Sequence, residues 1–382
     1  MDKMADVLGR AGAWCGQNKY LSAIKNAFQN FMPLTIAGAI GVLWCNVLVN
    51  DQTGLGLFFK PIMALDFLNP AFQAVNFCTI SCITVGITLG IAQEIGVWNM
   101  GAERAGYIPG LVGLAAWLSV TNTSHMVDGA KEAFTGIAGN ELGATGLFTG
   151  MIIGVLSVEL FCFFEKQDAL KIKMPEQVPP GVARAFEVLV PATITLIITA
   201  CIGSACYNLT GLYLNDVIKN GVQGPLGAVG ATIPGVMIIY LVIMLFWLVG
   251  IHGNNMLSAV KEALFTPLAL ENVEAFNKGE TPKNIINMYF LQMCGEFGGS
   301  GVTIGLVIAI MIFGKREDNK AIATLSLVPG LFNINETVTF GIPMVLNPIL
   351  GIPFVVAPLV TIIIGYVLTV IGFCPVACLT VP

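Results

Sequence analysis

Long apolar windows alternate along this chain with short polar or Pro/Gly-rich stretches. Their lengths lie near the ~20 residues that a helix needs to cross a bilayer. Spans are predicted at roughly 28–50, 70–92, 105–122, 142–164, 185–212, 231–251, 301–314 and 352–373. Ahead of them, Leu8, Ala11, Trp14, Leu21, Ile24 and Phe28 give residues 1–27 an irregular apolar face. That pattern predicts an amphipathic helix lying on the membrane surface. The same stretch has no apolar core of the kind a cleavable signal peptide carries, so none is expected.

In two places the apolar pattern fails. Gly250-Ile251-His252-Gly253-Asn254-Asn255 closes the apolar run Met237–Val249, and the region 252–300 that follows reads as irregular. Further on, Phe332-Asn333-Ile334-Asn335-Glu336 interrupts an apolar stretch held between Pro329-Gly330 and Gly341-Ile342-Pro343. Pro and Gly break helices, and bare backbone at membrane depth is tolerated only where protein or water satisfies it. Residues 321–347 are therefore expected to form a re-entrant hairpin with 333–336 at its tip.

Charge adds an orientation. Lys3, Arg10, Lys19 and Lys25 place the N-terminal tail in the cytoplasm. After an even number of spans, the Pro-rich connector from Glu165 to Arg184 should lie there too, and it reads as a linker between halves. The cluster Lys315-Arg316 is cytoplasmic only if one more crossing exists between 252 and 300, for which Asn284–Gly298 is the best segment. The chain is thus expected to be an all-α polytopic membrane protein with about nine crossings plus re-entrant hairpin elements in the C-terminal half. Its parts are an amphipathic helix (1–27), a scaffold half with a cytoplasmic linker (28–182) and a transport half (183–382).

Composition supports the class. Of 382 residues 55% are hydrophobic and 11% charged, where soluble domains carry about 25% charged residues. A net charge of −5 without a basic patch excludes a nucleic-acid partner. Cys78 with Cys82, and Cys374 with Cys378, share helical spacing. No His or carboxylate joins either pair, so they read as packing residues, and neither metal nor cofactor is expected.

Candidate chemistry concentrates at the two breaks. An ionised carboxylate near the bilayer centre costs several kcal/mol, so Glu336 is expected to face a wet cavity and act there. Asn254, Asn333, Asn335, Glu336 and His252 match the mixed donors and acceptors of sugar hydroxyls. Trp247 reads equally as a platform for a sugar's apolar face or as a lipid-interface anchor. Glu336 is the candidate base, with His252 orienting the same hydroxyl. Gly295-Glu296-Phe297-Gly298-Gly299-Ser300-Gly301 reads as a phosphate cradle or as close helix packing, and lacks the P-loop lysine. Glu94, Glu103 and Arg104 are expected in a loop, and Glu159 near a helix end, snorkelling.

Ile172-Lys173-Met174-Pro175-Glu176-Gln177-Val178-Pro179-Pro180, Gly250–Asn254, Gly298–Gly301 and Phe332–Glu336, with Gly341-Ile342-Pro343 and Leu346-Asn347-Pro348 beyond, carry a resemblance. Over nearly its whole length the chain resembles the enzyme IIC membrane component of the bacterial sugar phosphotransferase system. The lactose/cellobiose branch, which includes diacetylchitobiose-type members, is the most similar. The resemblance implies a homodimer in the bacterial cytoplasmic membrane, with an N-terminal dimerisation half and a C-terminal sugar half. It implies a β-linked disaccharide whose C6 hydroxyl is phosphorylated by a separate phosphocysteine enzyme IIB, fed by IIA. His252 and Glu336 match the family's sugar-binding His and Glu, with Asn335 and Trp247 beside them. Family chains continue past the Val-Pro seen here as Val381-Pro382 into a last helix. Two alternatives stand beside the permease: an ion-coupled secondary sugar transporter, in which Glu336 carries a proton, and a non-transporting remnant, which that departure favours.

Overall fold

The computed structural model describes residues 2–51, 54–125, 134–175, 177–331, 333–342, 344 and 347–378. At Glu336 it describes the backbone only. Phe332, Pro343 and Leu346 of the tip motifs, Glu176 of the linker, and Val381-Pro382 lie outside the described residues. The chain forms two compact units, one of Met1–Asn18 with Leu226–Pro382 and the other of Lys19–Pro225. Helix α1 (Asp2–Gln17) ends at Asn18, and α2 (Lys19–Leu43) begins the second of these units. Within the first, α1 lies on the α12–α13 junction described below: a Cβ on Gly12 would sit 3.1 Å from Ile251 Cδ1.

The 19–225 unit continues through α3 (Asn69–Asn76), α4 (Ile83–Met100), α5 (Ala102–Ala105) and α6 (Ile108–Val120). A short antiparallel pair, β1 (Ser124–His125) and β2 (Phe134–Thr135), sets Ser124 opposite Thr135. There follow α7 (Gly139–Leu142), α8 (Ala144–Glu165), α9 (Pro180–Thr210) and α10 (Leu214–Ile218), with α11 (Gly224–Gly230) at the unit's edge. Helix α4 is the centre, packed by α2, α6 and α8, and its Ile87, Ile91 and Ile95 are fully buried. Small residues bring the backbones together, as membrane helices require. A Cβ on Gly113 of α6 would lie only 2.3 Å from that of Ala92 on α4. Helix α9 starts on Pro180 and stops at the left-handed Gly211, the residues whose backbones suit those two ends.

Three expectations for this unit need correction. The window 70–92 is not one straight helix: the helical rods Lys60–Ser81 and Ile83–Met100 meet at 42°. A π-turn over Phe77–Ser81 and the non-helical backbone of Cys82 break it, and hydropathy does not register a backbone dihedral. Glu94 is not in a loop either. It belongs to α4 and accepts a 2.9 Å hydrogen bond from Asn26 Nδ2. Glu159 does not need to snorkel, since Lys19 Nζ sits 2.6 Å from its carboxylate.

Glu165 ties the end of α8 to α5 and to the start of α9. Its carboxylate takes Arg104 at 2.8 Å and Arg184 at 2.9 Å, and both arginines also reach Glu187. Losing one partner of a buried charged hydrogen bond costs about 1–3 kcal/mol. Glu165→Gln is therefore expected to lower the melting temperature of the detergent-purified protein by several degrees. An unshifted melting curve would show the cluster to be without weight.

The other unit is built from α12 (Ile233–Leu248), α13 (Gly253–Asn277), α14 (Met288–Cys294), α15 (Thr303–Phe313), α16 (Glu317–Leu331), α17 (Glu336–Gly341) and α18 (Pro348–Val370). Asn287 caps α14 and Asn347 caps α18, each side chain accepting from two backbone N–H groups. The expected crossing at Asn284–Gly298 is instead a seven-residue helix and a glycine loop. The long element of that region is α13, 25 residues. Lys261, Glu262, Glu271 and Glu274 hide it from a hydropathy window.

Residues 321–347 do not form one continuous helix. The chain leaves α16 at Leu331, is non-helical over 333–335 and returns as α17, where a Cβ on Gly341 would lie 2.9 Å from Ile322 Cγ2. Val338, Ile342 and Met344 of the returning arm join Ile243, Trp247, Val307, Ala323 and Phe354 in one buried cluster. Among the described residues, four helices are long and apolar enough to cross a membrane, or up to six if each bent pair is one span. By length and composition alone the expected nine is not reached.

Candidate functional site

The end of α12 places the first candidates. Gly250 turns the chain with φ 80°, and His252 caps α13, its Nδ1 accepting from the Asn255 N–H at 3.2 Å. With Nδ1 used as an acceptor, a ring proton resides on Nε2, which gives the imidazole a donor at its other edge. The ring centroid lies 4.4 Å from that of Trp247. Trp247 is 1% exposed and meets Phe354 edge-on at 6.4 Å. A lipid-interface anchor would be exposed, so that reading of Trp247 falls.

The glycine loop 295–302 places the next group. Gly298, Gly299 and Gly301 have φ of 79°, 91° and 81°, and Val302 follows at 53°. This left-handed path suits glycine and brings backbone against side chains. A Cβ on Gly299 would lie 2.5 Å from Cβ of Asn335. Ser300 then serves two elements: its Oγ accepts from Asn254 Nδ2 at 2.8 Å and its carbonyl from Asn335 Nδ2 at 2.6 Å. Asn333, left-handed itself at φ 60°, accepts the Gly298 N–H at 2.9 Å. The structure thus brings Asn254, Asn333 and Asn335 together through one loop. Of the two readings of that loop, close packing describes it: the Gly298 N–H is already taken, and Asn335, Ile304 and Phe354 fill its surroundings.

His252 stands two residues before Asn254. Glu336 stands one residue after Asn335 and opens α17. Their backbones are therefore drawn to the same loop, although the Glu336 side chain lies outside the described residues. His125 sits on β1, in the other unit.

Sequence reasoning missed a second polar group beside these amides. Lys261, 5% exposed on α13, forms an ion pair with Glu296 at the head of the glycine loop. Glu296 also accepts from the Tyr240 hydroxyl at 2.8 Å. The Lys261 ammonium lies 3.5 Å from Asn254 Oδ1. The signal was present in the spacing. Lys261 is seven positions after Asn254, hence on the same helix face, and Glu296 is the one charge in the glycine motif.

Comparison with known proteins finds relatives over nearly the whole chain. The profile of the family described as "Phosphotransferase system, EIIC" matches residues 25–380. The chain is 32% identical over 378 residues to the oligo-beta-mannoside-specific EIIC component of Bacillus subtilis (strain 168), covering 98% of this chain and 83% of that one. It is 30% identical over 425 residues to the cellobiose-specific EIIC component of Lactococcus lactis subsp. lactis (strain IL1403), covering 96% and 86%. The crystal structure of the transporter ChbC, the IIC component of an N,N'-diacetylchitobiose-specific phosphotransferase system, aligns with a TM-score of 0.85 at 29% identity. That alignment covers 96% of this chain and 84% of ChbC.

Proposed function

The chain belongs to the phosphotransferase system EIIC family, and we propose that it is the sugar-specific permease through which a β-linked disaccharide enters the cell and is phosphorylated. The observation that carries this reading is the polar chain Asn254–Ser300–Asn335, flanked by His252 and Glu336. Neutral amides and an imidazole bind a neutral polyol without demanding a charged substrate. Trp247, buried beside His252, backs the imidazole that meets the sugar.

In this reading the disaccharide is of the cellobiose, chitobiose or lactose type, and its C6 hydroxyl is held by His252 and Glu336. Glu336 takes the hydroxyl proton as the sugar oxygen attacks phosphorus on the phosphocysteine of enzyme IIB. The P–S bond breaks, the thiolate stays on IIB, and the sugar 6-phosphate leaves to the cytoplasm. IIA recharges IIB. Residues 28–182 form the scaffold and the homodimer interface, and 183–382 the sugar half. The N-terminus and the 315–320 cluster face the cytoplasm, and the 321–347 hairpin re-enters the membrane. The shorter apolar helices α6 and α15 bring the crossings toward nine.

Phosphoenolpyruvate-dependent uptake of labelled cellobiose, diacetylchitobiose, lactose and mannobiose tests this, in cells expressing the chain with IIA and IIB. At least one should accumulate as its 6-phosphate. Uptake that follows a proton gradient and delivers free sugar would overturn the reading in favour of ion coupling.

A further inference from the structure

The Lys261–Glu296–Tyr240 group has a use that the chemistry above leaves unassigned. Lys261 is 5% exposed and Tyr240 fully buried. A buried ion pair is weak evidence for stability, because apolar residues of similar volume commonly do as well or better. Its worth lies in geometry, and the geometry here is specific. Tyr240 comes from α12, Lys261 from α13 and Glu296 from the foot of the glycine loop, so three elements meet at one carboxylate. From that foot the loop runs four residues to Ser300, which holds both Asn254 and Asn335. The Lys261 ammonium also faces Asn254 Oδ1 directly.

Resting on the permease reading, we propose that Lys261 and Glu296 are positioning residues: their pair, steadied by Tyr240, fixes the glycine loop so that Ser300 presents Asn254 and Asn335 to the sugar. They act on sugar affinity and leave the proton transfer at Glu336 to proceed once the site is full.

The test uses the full chain purified in lipid nanodiscs. Lys261→Met, Lys261→Arg and the charge-balanced double variant Lys261→Met/Glu296→Gln are compared with wild type. Binding of labelled β-disaccharides and IIB-dependent phosphorylation are followed together with amide hydrogen exchange over 296–302. Lys261→Met should raise KM at least tenfold and lower kcat less than threefold. Lys261→Arg should stay within threefold of wild type in both. The double variant keeps a melting temperature near wild type, yet exchanges the loop amides faster and binds sugar as weakly as Lys261→Met. Wild-type loop exchange or wild-type affinity in the double variant overturns the proposal, even where Lys261→Met fails to fold. So does a loss confined to kcat. If wild type binds none of the sugars, the permease reading falls by itself. Hydrogen exchange then still decides whether the pair holds the loop.

Discussion

Glu336→Gln should reduce sugar phosphorylation by ~10²–10⁴-fold, the usual worth of a positioned general base, while sugar binding persists. The amide keeps the size of the carboxylate and both donates and accepts hydrogen bonds, so hydroxyls are still held. It cannot take a proton at neutral pH. The sequence context makes the substitution clean. Glu336 is the first residue of α17, and its neighbour Asn335 is anchored independently to the Ser300 carbonyl. The tip should therefore survive the change. Phosphorylation measured with excess phosphorylated IIB separates the two steps. A near wild-type rate at saturating sugar would show that the carboxylate only binds, and would move the base to His252, which would have to release its Nδ1 from the Asn255 N–H to take a proton.

Gly299→Ala should damage the sugar site strongly. At φ 91° an L side chain is strained, by about 1–2 kcal/mol on the scale of left-handed backbone. The new methyl would also meet Cβ of Asn335 at 2.5 Å, and overpacking adds roughly 1–3 kcal/mol. Cβ of Asn335 is fixed by its own backbone and is not the end of a flexible side chain, so the hairpin tip itself must move. If most of that cost falls on the sugar-competent arrangement, affinity drops by ~10²-fold. Gly305→Ala, two residues into α15 where nothing lies within 4 Å of the new carbon, is the control. It should leave binding unchanged and raise helix stability by about 0.5–1 kcal/mol. Equal affinities for the two variants in a direct binding measurement would sink the argument.

These two positions also show what the sequence discloses and what it withholds. Pro329-Gly330 and Gly341-Ile342 bracket a polar tip, and a break with a return follows from helix chemistry alone. The amides Asn254, Asn333 and Asn335 stood out because polar groups in an apolar run must be satisfied somewhere. What periodicity does not carry is the partner. The Ser300 hydroxyl and carbonyl are the hub of the group, yet a serine among glycines has no pattern that marks it. Helix α13 was hidden for the opposite reason. Its charges lower the local hydropathy, and only in three dimensions is Lys261 seen to be neutralised by Glu296. The bend at Cys82 left no trace in hydropathy either, since apolar residues continue through it.

The assignment of α1 to the unit that otherwise begins at Leu226 has a consequence for biosynthesis. Helix α1 leaves the ribosome before the 19–225 unit, but the residues that cover it, Phe246 and Ile251 against Gly12, are made only after that entire unit. During synthesis α1 must wait, and its amphipathic surface has the lipid headgroup layer as a provisional partner. The Leu226–Pro382 part of that unit therefore closes on a segment older than itself. Slowed or interrupted translation after α11 leaves a nascent chain whose first helix is still unclaimed, and which is open to membrane quality control until α12 and α13 arrive.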